Sequence, residues 1–312
     1  MPVYNEESYI AEALDSLLTQ DFEDFEIIIS DNASEDNTGR ICIEYASRDP
    51  RIRYCRNETN IGSVKNFNRV FMLSSGEYFS WASGHDLRDQ KFITRCLEVM
   101  TRKPSVLICM PQTTIINVNG KKSRLIQRDT QGLDPVSRFE CAINGYNNYF
   151  IHGLIRASAL KRTRLFRPVI DADLILLAEL SLLGEFALIP ENLFYARKFR
   201  GETGVQRIRR VYKDINPREN RERNMLSLFH QFAVELLSAV IRGPIDCASK
   251  VACMIKIIKL ITYRYGTLLS SRGITSTRAC NEDGFCMSTS ARASSFSSAD
   301  ILQSTFHDGC HC

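Results

Sequence analysis

Apolar positions along the first third of the chain recur with two alternating periods. Ile10, Leu14, Leu17 and Leu18 fall at i, i+4, i+7 and i+8 and predict one face of an amphipathic helix, with Asn5 as its N-cap. Phe25-Glu26-Ile27-Ile28-Ile29-Ser30 is a short, nearly continuous apolar run, the pattern of a strand buried on both faces of a parallel sheet. Asp31-Asn32-Ala33-Ser34 ends it with turn chemistry. The alternation continues with a helix around Ile41 and Tyr45 that stops near Asp49-Pro50, because the residue before a proline is pushed out of helical geometry. A strand over 52–55, a helix carrying Val64, Phe67 and Phe71, and a strand over 78–82 ending at Gly84-His85-Asp86 follow. A helix over 92–100 and a strand over 106–110 complete the series. Strands alternating with helices predict βαβ units and a ligand crevice at the strands' carboxyl ends, where Asp31 and Asp86 both fall.

Beyond about residue 111 the pattern loosens. Asp173 opens a helical stretch with Leu176, Leu177, Leu180 and Leu183 as an apolar stripe and Gly184 as its C′ residue. Short strands are expected over 186–189 and 192–196, and helices over 221–242 and 251–265. The last mixes a broad apolar surface with spaced lysines, which suits a helix packed on the domain or one lying in a membrane interface; the packed reading is preferred. From residue 270 onward Ser, Thr, Gly and Arg dominate without periodicity, so a disordered tail is expected.

Composition narrows the class. With 312 residues, 44% hydrophobic and 24% charged, the chain has ordinary globular usage, and a net charge of +4 does not call for nucleic acid as a partner. No uncharged apolar run reaches the ~18 residues of a membrane span. Met1-Pro2-Val3-Tyr4-Asn5-Glu6-Glu7 has neither the basic head nor the apolar core of a signal peptide. Eleven cysteines, an odd number, argue for reduced thiols, with Cys42, Cys55, Cys96, Cys109 and Cys141 as small core residues. Cys280, Cys286, Cys310 and Cys312 crowd the tail with His307 and His311, but without a C-x-x-C pair they do not form a zinc framework.

Singly, an Asp after a strand is a common turn residue; the order and spacing of several motifs changes the picture. Pro2-Val3-Tyr4-Asn5-Glu6-Glu7, a helix ending near Leu17-Leu18-Thr19-Gln20, and Ile27-Ile28-Ile29-Ser30-Asp31-Asn32-Ala33-Ser34-Glu35-Asp36-Asn37-Thr38 resemble the opening of family 2 glycosyltransferases. Asn60-x-Gly62 with Asn66 and Asn68, then Gly76-Glu77-Tyr78-Phe79-x-Trp81, continue the likeness in the family's order over roughly residues 1–200. The resemblance implies an α/β GT-A fold, a Rossmann-like, mostly parallel sheet flanked by helices. It divides the chain into a glycosyltransferase domain over 1–205, a helical appendage over 206–269 and a disordered tail over 270–312. In the family an apolar strand in the sheet interior precedes the Pro-Val-Tyr motif; here Met1 stands directly before it, so that first strand is expected to be missing, with weakened donor binding or solubility as the result.

The resemblance also implies roles. The donor is a nucleotide-diphosphate sugar, of uridine or thymidine type, whose sugar passes with inversion to the hydroxyl of a glycan, lipid-linked or polysaccharide acceptor in cell-envelope synthesis. A divalent cofactor, manganese or magnesium, would offset the leaving diphosphate's charge. Where the family carries an Asp-x-Asp motif this chain has Gly84-His85-Asp86, which leaves Asp86 as the principal metal and donor residue and His85 as a weaker one. Asp31 matches the position that contacts the base, Pro2 and Tyr4 would wall its pocket, and Arg197 would grip the diphosphate, with Phe199 where a His is expected. Lys65, near a helix start, suits phosphate and reads equally as a solvated surface lysine. Asp173 matches the general base and reads equally as an ordinary N-terminal helix acid, with Asp171 and the less well placed Glu179 as rivals. A cytoplasmic protein is implied, with attachment to the inner membrane face left open. The alternative is a degenerate, non-catalytic nucleotide-sugar binder, which Gly84 in the motif would explain.

Overall fold

The computed structural model describes residues 1–117, 120–145, 147–198, 204–215, 217 and 225–271. Strand β1 (Pro2–Val3), helix α1 (Ile10–Leu18), β2 (Ile27–Asp31), α2 (Thr38–Arg48), β3 (Ile52–Arg56) and α3 (Ser63–Leu73) open the chain. The three strands form a parallel sheet in the order β1-β2-β3, in which Val3 lies opposite Asp31 and Asp31 opposite Arg56. Next come β4 (Tyr78–Phe79), β5 (Leu87–Arg88), α4 (Phe92–Arg102), β6 (Val106–Asn117), β7 (Lys122–Arg124), α5 (Pro135–Ile143), β8 (Leu154–Arg156), α6 (Ala157–Leu160), α7 (Ala172–Leu183) and β9 (Glu185–Lys198). They build a second sheet, β4-β8-β6-β9-β5, with β7 beside β6; there β6 and β9 run parallel and the other pairs antiparallel. Helices α8 (Gly204–Ile215), α9 (Met225–Arg242) and α10 (Cys247–Ser271) follow. Met1–Arg264 forms one compact unit and Tyr265–Cys312 a second, whose described part is the end of α10. The expected disordered tail, its cysteines and histidines, and Phe199 lie outside the described residues.

The α/β class follows the sequence pattern, and its departures have local causes. Strands β6 and β9 are twelve and fourteen residues long, longer than their apolar runs, because register shifts around Pro111 and Gln112 let the pair continue through residues that a regular ladder would reject. Strand β4 stops after Phe79, since Trp81 turns inward to full burial. Its ring packs edge-on against Phe79 and Phe166 at 4.7 and 4.9 Å, and its Nε1–H donates to the Phe67 carbonyl at 2.9 Å. Asn5 is not the cap of α1, which starts at Ile10 behind Tyr9. Asn5 instead takes a left-handed conformation (φ 54°), its Oδ1 accepting the Glu35 N–H at 2.9 Å. Helix α7 is apolar around most of its circumference and is accordingly buried on nearly all sides.

The start of β2, Ile27 and Ile28, borders a cavity of about 390 Å³. Met1, Ile27, Tyr78, Phe79 and Arg88 line it. The Met1 α-amino group is buried and donates to the Ile28 carbonyl at 2.7 Å. Burial, assisted by repulsion from the Arg88 guanidinium, holds this amine down at about 5. Arg88, itself fully buried over the Phe92 ring, is lowered to about 10 by desolvation.

For the chain carrying a free amino group at Met1, the unfolded state holds a proton between pH 5 and 8 that the native state does not, so stability rises with pH across that window. Thermal melts from pH 5.5 to 7.5 should show this rise. Acetylating the amine should flatten it, and an unchanged slope would place the proton elsewhere.

Candidate active site at the carboxyl ends of the strands

Asp31 closes β2 with no solvent exposure. Its Oδ1 accepts the Ser34 N–H at 2.8 Å, and its Oδ2 accepts the Tyr54 hydroxyl at 2.6 Å and Arg56 Nη1 at 2.7 Å. Arg56 also donates to the Ser34 carbonyl at 2.7 Å, so the guanidinium clamps both ends of the 31–34 turn. Tyr54 and Arg56 escape the sequence reading, although two five-residue strands in parallel register put Arg56 opposite Asp31. Asp31 thus enters the site with its carboxylate already engaged by protein donors, and Arg56, half exposed, is the most exposed group of this cluster.

The asparagines of the sequence motif hold the loop after β3 against β2. Asn66 exchanges hydrogen bonds with Ser30, receiving its hydroxyl at 2.7 Å and donating to its carbonyl at 2.8 Å. Asn57 donates to both Asn32 and Asn66, and Asn32 donates to Asn60. Gly62 is required here by its φ of 87° and by the Ile215 carbonyl, which lies where a Cβ would be. Asn68 leaves this group and pairs with the Phe166 backbone.

The turn from β1 carries the network across to Asp86. The Asn5 N–H donates to Ser34 Oγ at 3.0 Å and the Glu6 N–H to Thr38 Oγ1 at 2.7 Å, which fixes the backbone that carries the Glu6 side chain. That side chain fills the space beside Gly84: a Cβ there would sit 2.9 Å from Glu6 Cγ. The Glu6 carboxylate meets His85 Nδ1 at 3.0 Å, and His85 Nε2 lies 3.9 Å from Asp86 Oδ1. Burial acts to lower the His85 pKa, but the bond to Glu6 and the field of Asp86 outweigh it, and the imidazole is raised above its ordinary value. Asp86, nearly buried, accepts the Arg197 backbone N–H at 2.9 Å. The Arg197 guanidinium donates to the His85 carbonyl at 2.9 Å, pairs with Glu12 at 2.5 Å and lies over the Tyr9 ring.

Asp31, Asp86 and Arg197 are therefore joined through Asn5, Glu6 and His85 at one end of the strands. Pro2 is buried in β1 below them, and Tyr4 is exposed at its end. Lys65 is exposed in the first turn of α3 and Asp173 half-buried in the first turn of α7; the bonds linking Asp31 to Asp86 run through neither. Asp171 is the left-handed residue preceding α7. Glu179 is withdrawn as a rival base: it is buried against Arg164, which grips it through Nε at 2.6 Å and the backbone N–H at 2.8 Å while also pairing with Glu235 of α9.

The model of Glycosyl transferase family 2 matches residues 1–164, more than half of the chain. The chain belongs to this family. An uncharacterized protein of Mycobacterium tuberculosis is 38% identical over 122 residues, covering 38% of this chain and 35% of that protein. Glycosyltransferase GlyG of Streptococcus pneumoniae is 27% identical over 108 residues, 35% of this chain and 36% of its own length. The matched part spans about a third of these relatives. Among solved structures, S. aureus TarS 1-349 in complex with UDP-GlcNAc superposes with a TM-score of 0.67 at 18% identity, over 88% of this chain and 74% of that one, a likeness of GT-A fold.

Members of this family commonly use a divalent metal, and the donor set here can be tested for one. Among the described residues no three His, Cys, Asp or Glu side chains come together as a metal cage. Glu6 is committed to His85, and Gly84 offers no carboxylate. Asp86 keeps an oxygen beyond the one that Arg197 engages. That fits a hard divalent ion held by one carboxylate together with the oxygens of a bound diphosphate.

The bond from Tyr54 to a buried, charged acceptor should be worth about 1.5–3 kcal/mol. Tyr54→Phe should lower the urea-unfolding free energy by that amount with an unchanged m value. A variant as stable as the parent would show that Asp31 does not depend on this hydroxyl.

Proposed function

We propose that this protein transfers a sugar from a nucleotide-diphosphate sugar, of uridine or thymidine type, to an acceptor hydroxyl with inversion. The observation that carries the reading is the line of contacts and chain neighbours from Asp31 through Ser34, Asn5, Glu6 and His85 to Asp86 and Arg197 along the strand ends, in a chain of this family. In this reading the nucleoside lies at the Asp31 end of the line and the diphosphate at the Asp86 end. The TarS complex with UDP-GlcNAc, on a similar fold, supports the uridine donor.

In this reading Tyr4 and the Asp31–Arg56 cluster receive the base, while Asp86 and Arg197 face the diphosphate, with Pro2 under the pocket wall. Manganese or magnesium bound at Asp86 would supply charge neutralisation for the departing diphosphate. His85, pinned by Glu6, lies beside the same charge, and Lys65 stands ready for an outer phosphate oxygen. Asp173, whose ionised form a helix N-terminus favours, takes the acceptor's hydroxyl proton as that oxygen attacks the anomeric carbon. The bond from that carbon to the diphosphate oxygen breaks, and the nucleoside diphosphate leaves with the electron pair. The acceptor is a glycan, lipid-linked or polysaccharide hydroxyl, and the setting is polysaccharide synthesis in the cytoplasm. Gly84 favours one second reading, a binder that holds the donor without turning it over.

Asp86→Ala should weaken UDP-sugar binding in manganese by roughly tenfold or more in calorimetric titration. Asp173→Asn should cut transfer by about 10²–10⁴-fold while leaving donor affinity nearly unchanged. Full activity in Asp173→Asn would remove that residue from the role. Tight donor binding by the parent chain, with neither transfer nor slow donor hydrolysis, would establish the binder instead.

A further inference from the structure

Helix α10 presents two different apolar faces. Cys253 and Ile257 are buried, and Lys256 reaches across to Glu140 of α5 at 2.6 Å, so this side is seated on the protein. On another side Val251, Ile255 and Ile258, at i, i+4 and i+7, are 58%, 48% and 62% exposed and form a continuous stripe facing water. Ile241, at the end of α9 and 59% exposed, lies near the start of this helix, its carbonyl accepting from Lys250 at 2.7 Å. Lys259 is exposed one residue from Ile258, and Lys250 precedes Val251. The 25 residues of α10 carry Lys250, Lys256, Lys259 and Arg264 and no acidic side chain.

Independently of the reaction, we propose that this face of α10 lies on an anionic lipid surface, with Val251, Ile255 and Ile258 in the acyl boundary and Lys250 and Lys259 at the headgroups. The charge distribution decides between occupants. A second copy docking through the same stripe would bring lysines against lysines, with no carboxylate on either helix to offset them. A negatively charged bilayer meets both halves of the face, since apolar residues enter the interface while lysine stems extend their ammonium groups outward. No helix among the described residues is long and apolar enough to cross a membrane, so the contact is along the surface.

The test is co-sedimentation of the full chain with vesicles of phosphatidylglycerol and phosphatidylcholine, and with pure phosphatidylcholine. Two variants accompany it, V251S/I255S/I258S and K250Q/K259Q, each first shown to melt like the parent by the fluorescence of Trp81. The parent should partition roughly tenfold more strongly onto the anionic vesicles and lose this preference in high salt. The triple variant should bind at least about tenfold more weakly, and the lysine variant should lose most of the salt-sensitive part. The proposal fails if the parent stays in the supernatant or if the triple variant sediments like it. It fails equally if gel filtration finds a dimer that V251S/I255S/I258S disperses, without vesicle binding, which assigns the stripe to a second copy.

Discussion

A carboxylate with no solvent exposure is costly unless every charge on it is answered, and Asp31 is answered from three directions. Ser34 supplies a backbone N–H, Tyr54 a hydroxyl and Arg56 a guanidinium, drawn from the turn after β2 and from the end of β3. Because Asn5 then hangs from Ser34, and Glu6 from Thr38, the same constraint sets where the polypeptide leaves β1. The place of His85 beside Asp86 follows in turn from Glu6.

This arrangement also fills the space beside a glycine. Gly84 contributes no carboxylate, yet the volume beside it is filled by Glu6 from another segment. Around it, Glu6 is bound to an imidazole, Asp86 accepts the Arg197 N–H, and Arg197 is steadied by Glu12 and the Tyr9 ring. A comparison of aligned positions does not register this packing, because the atoms that fill the space come from seventy-eight residues upstream.

Much of the frame was legible from periodicity. The faces of α1, α3 and α4, the buried run of β2 and the position of Asp31 at its end all follow from spacing alone. Features set by distant partners were not legible. Asn5 has the chemistry of a helix cap, but its side chain is taken by Glu35; Glu179 has the chemistry of a base, but Arg164 claims it. Strands β6 and β9 run through prolines because each supports the other across register shifts, a property of the pair and not of either segment. Helix α10 shows the same limit differently: its apolar surface is broad in sequence, and only the packing of Cys253 and Ile257 separates the half that meets protein from the half that does not.

The cavity between β2 and β4 has a mechanical side as well. Close-packed interiors yield little when squeezed, whereas the walls of a space of about 390 Å³ have room to move. Substitutions that enlarge a side chain on these walls therefore meet space before they meet neighbouring atoms.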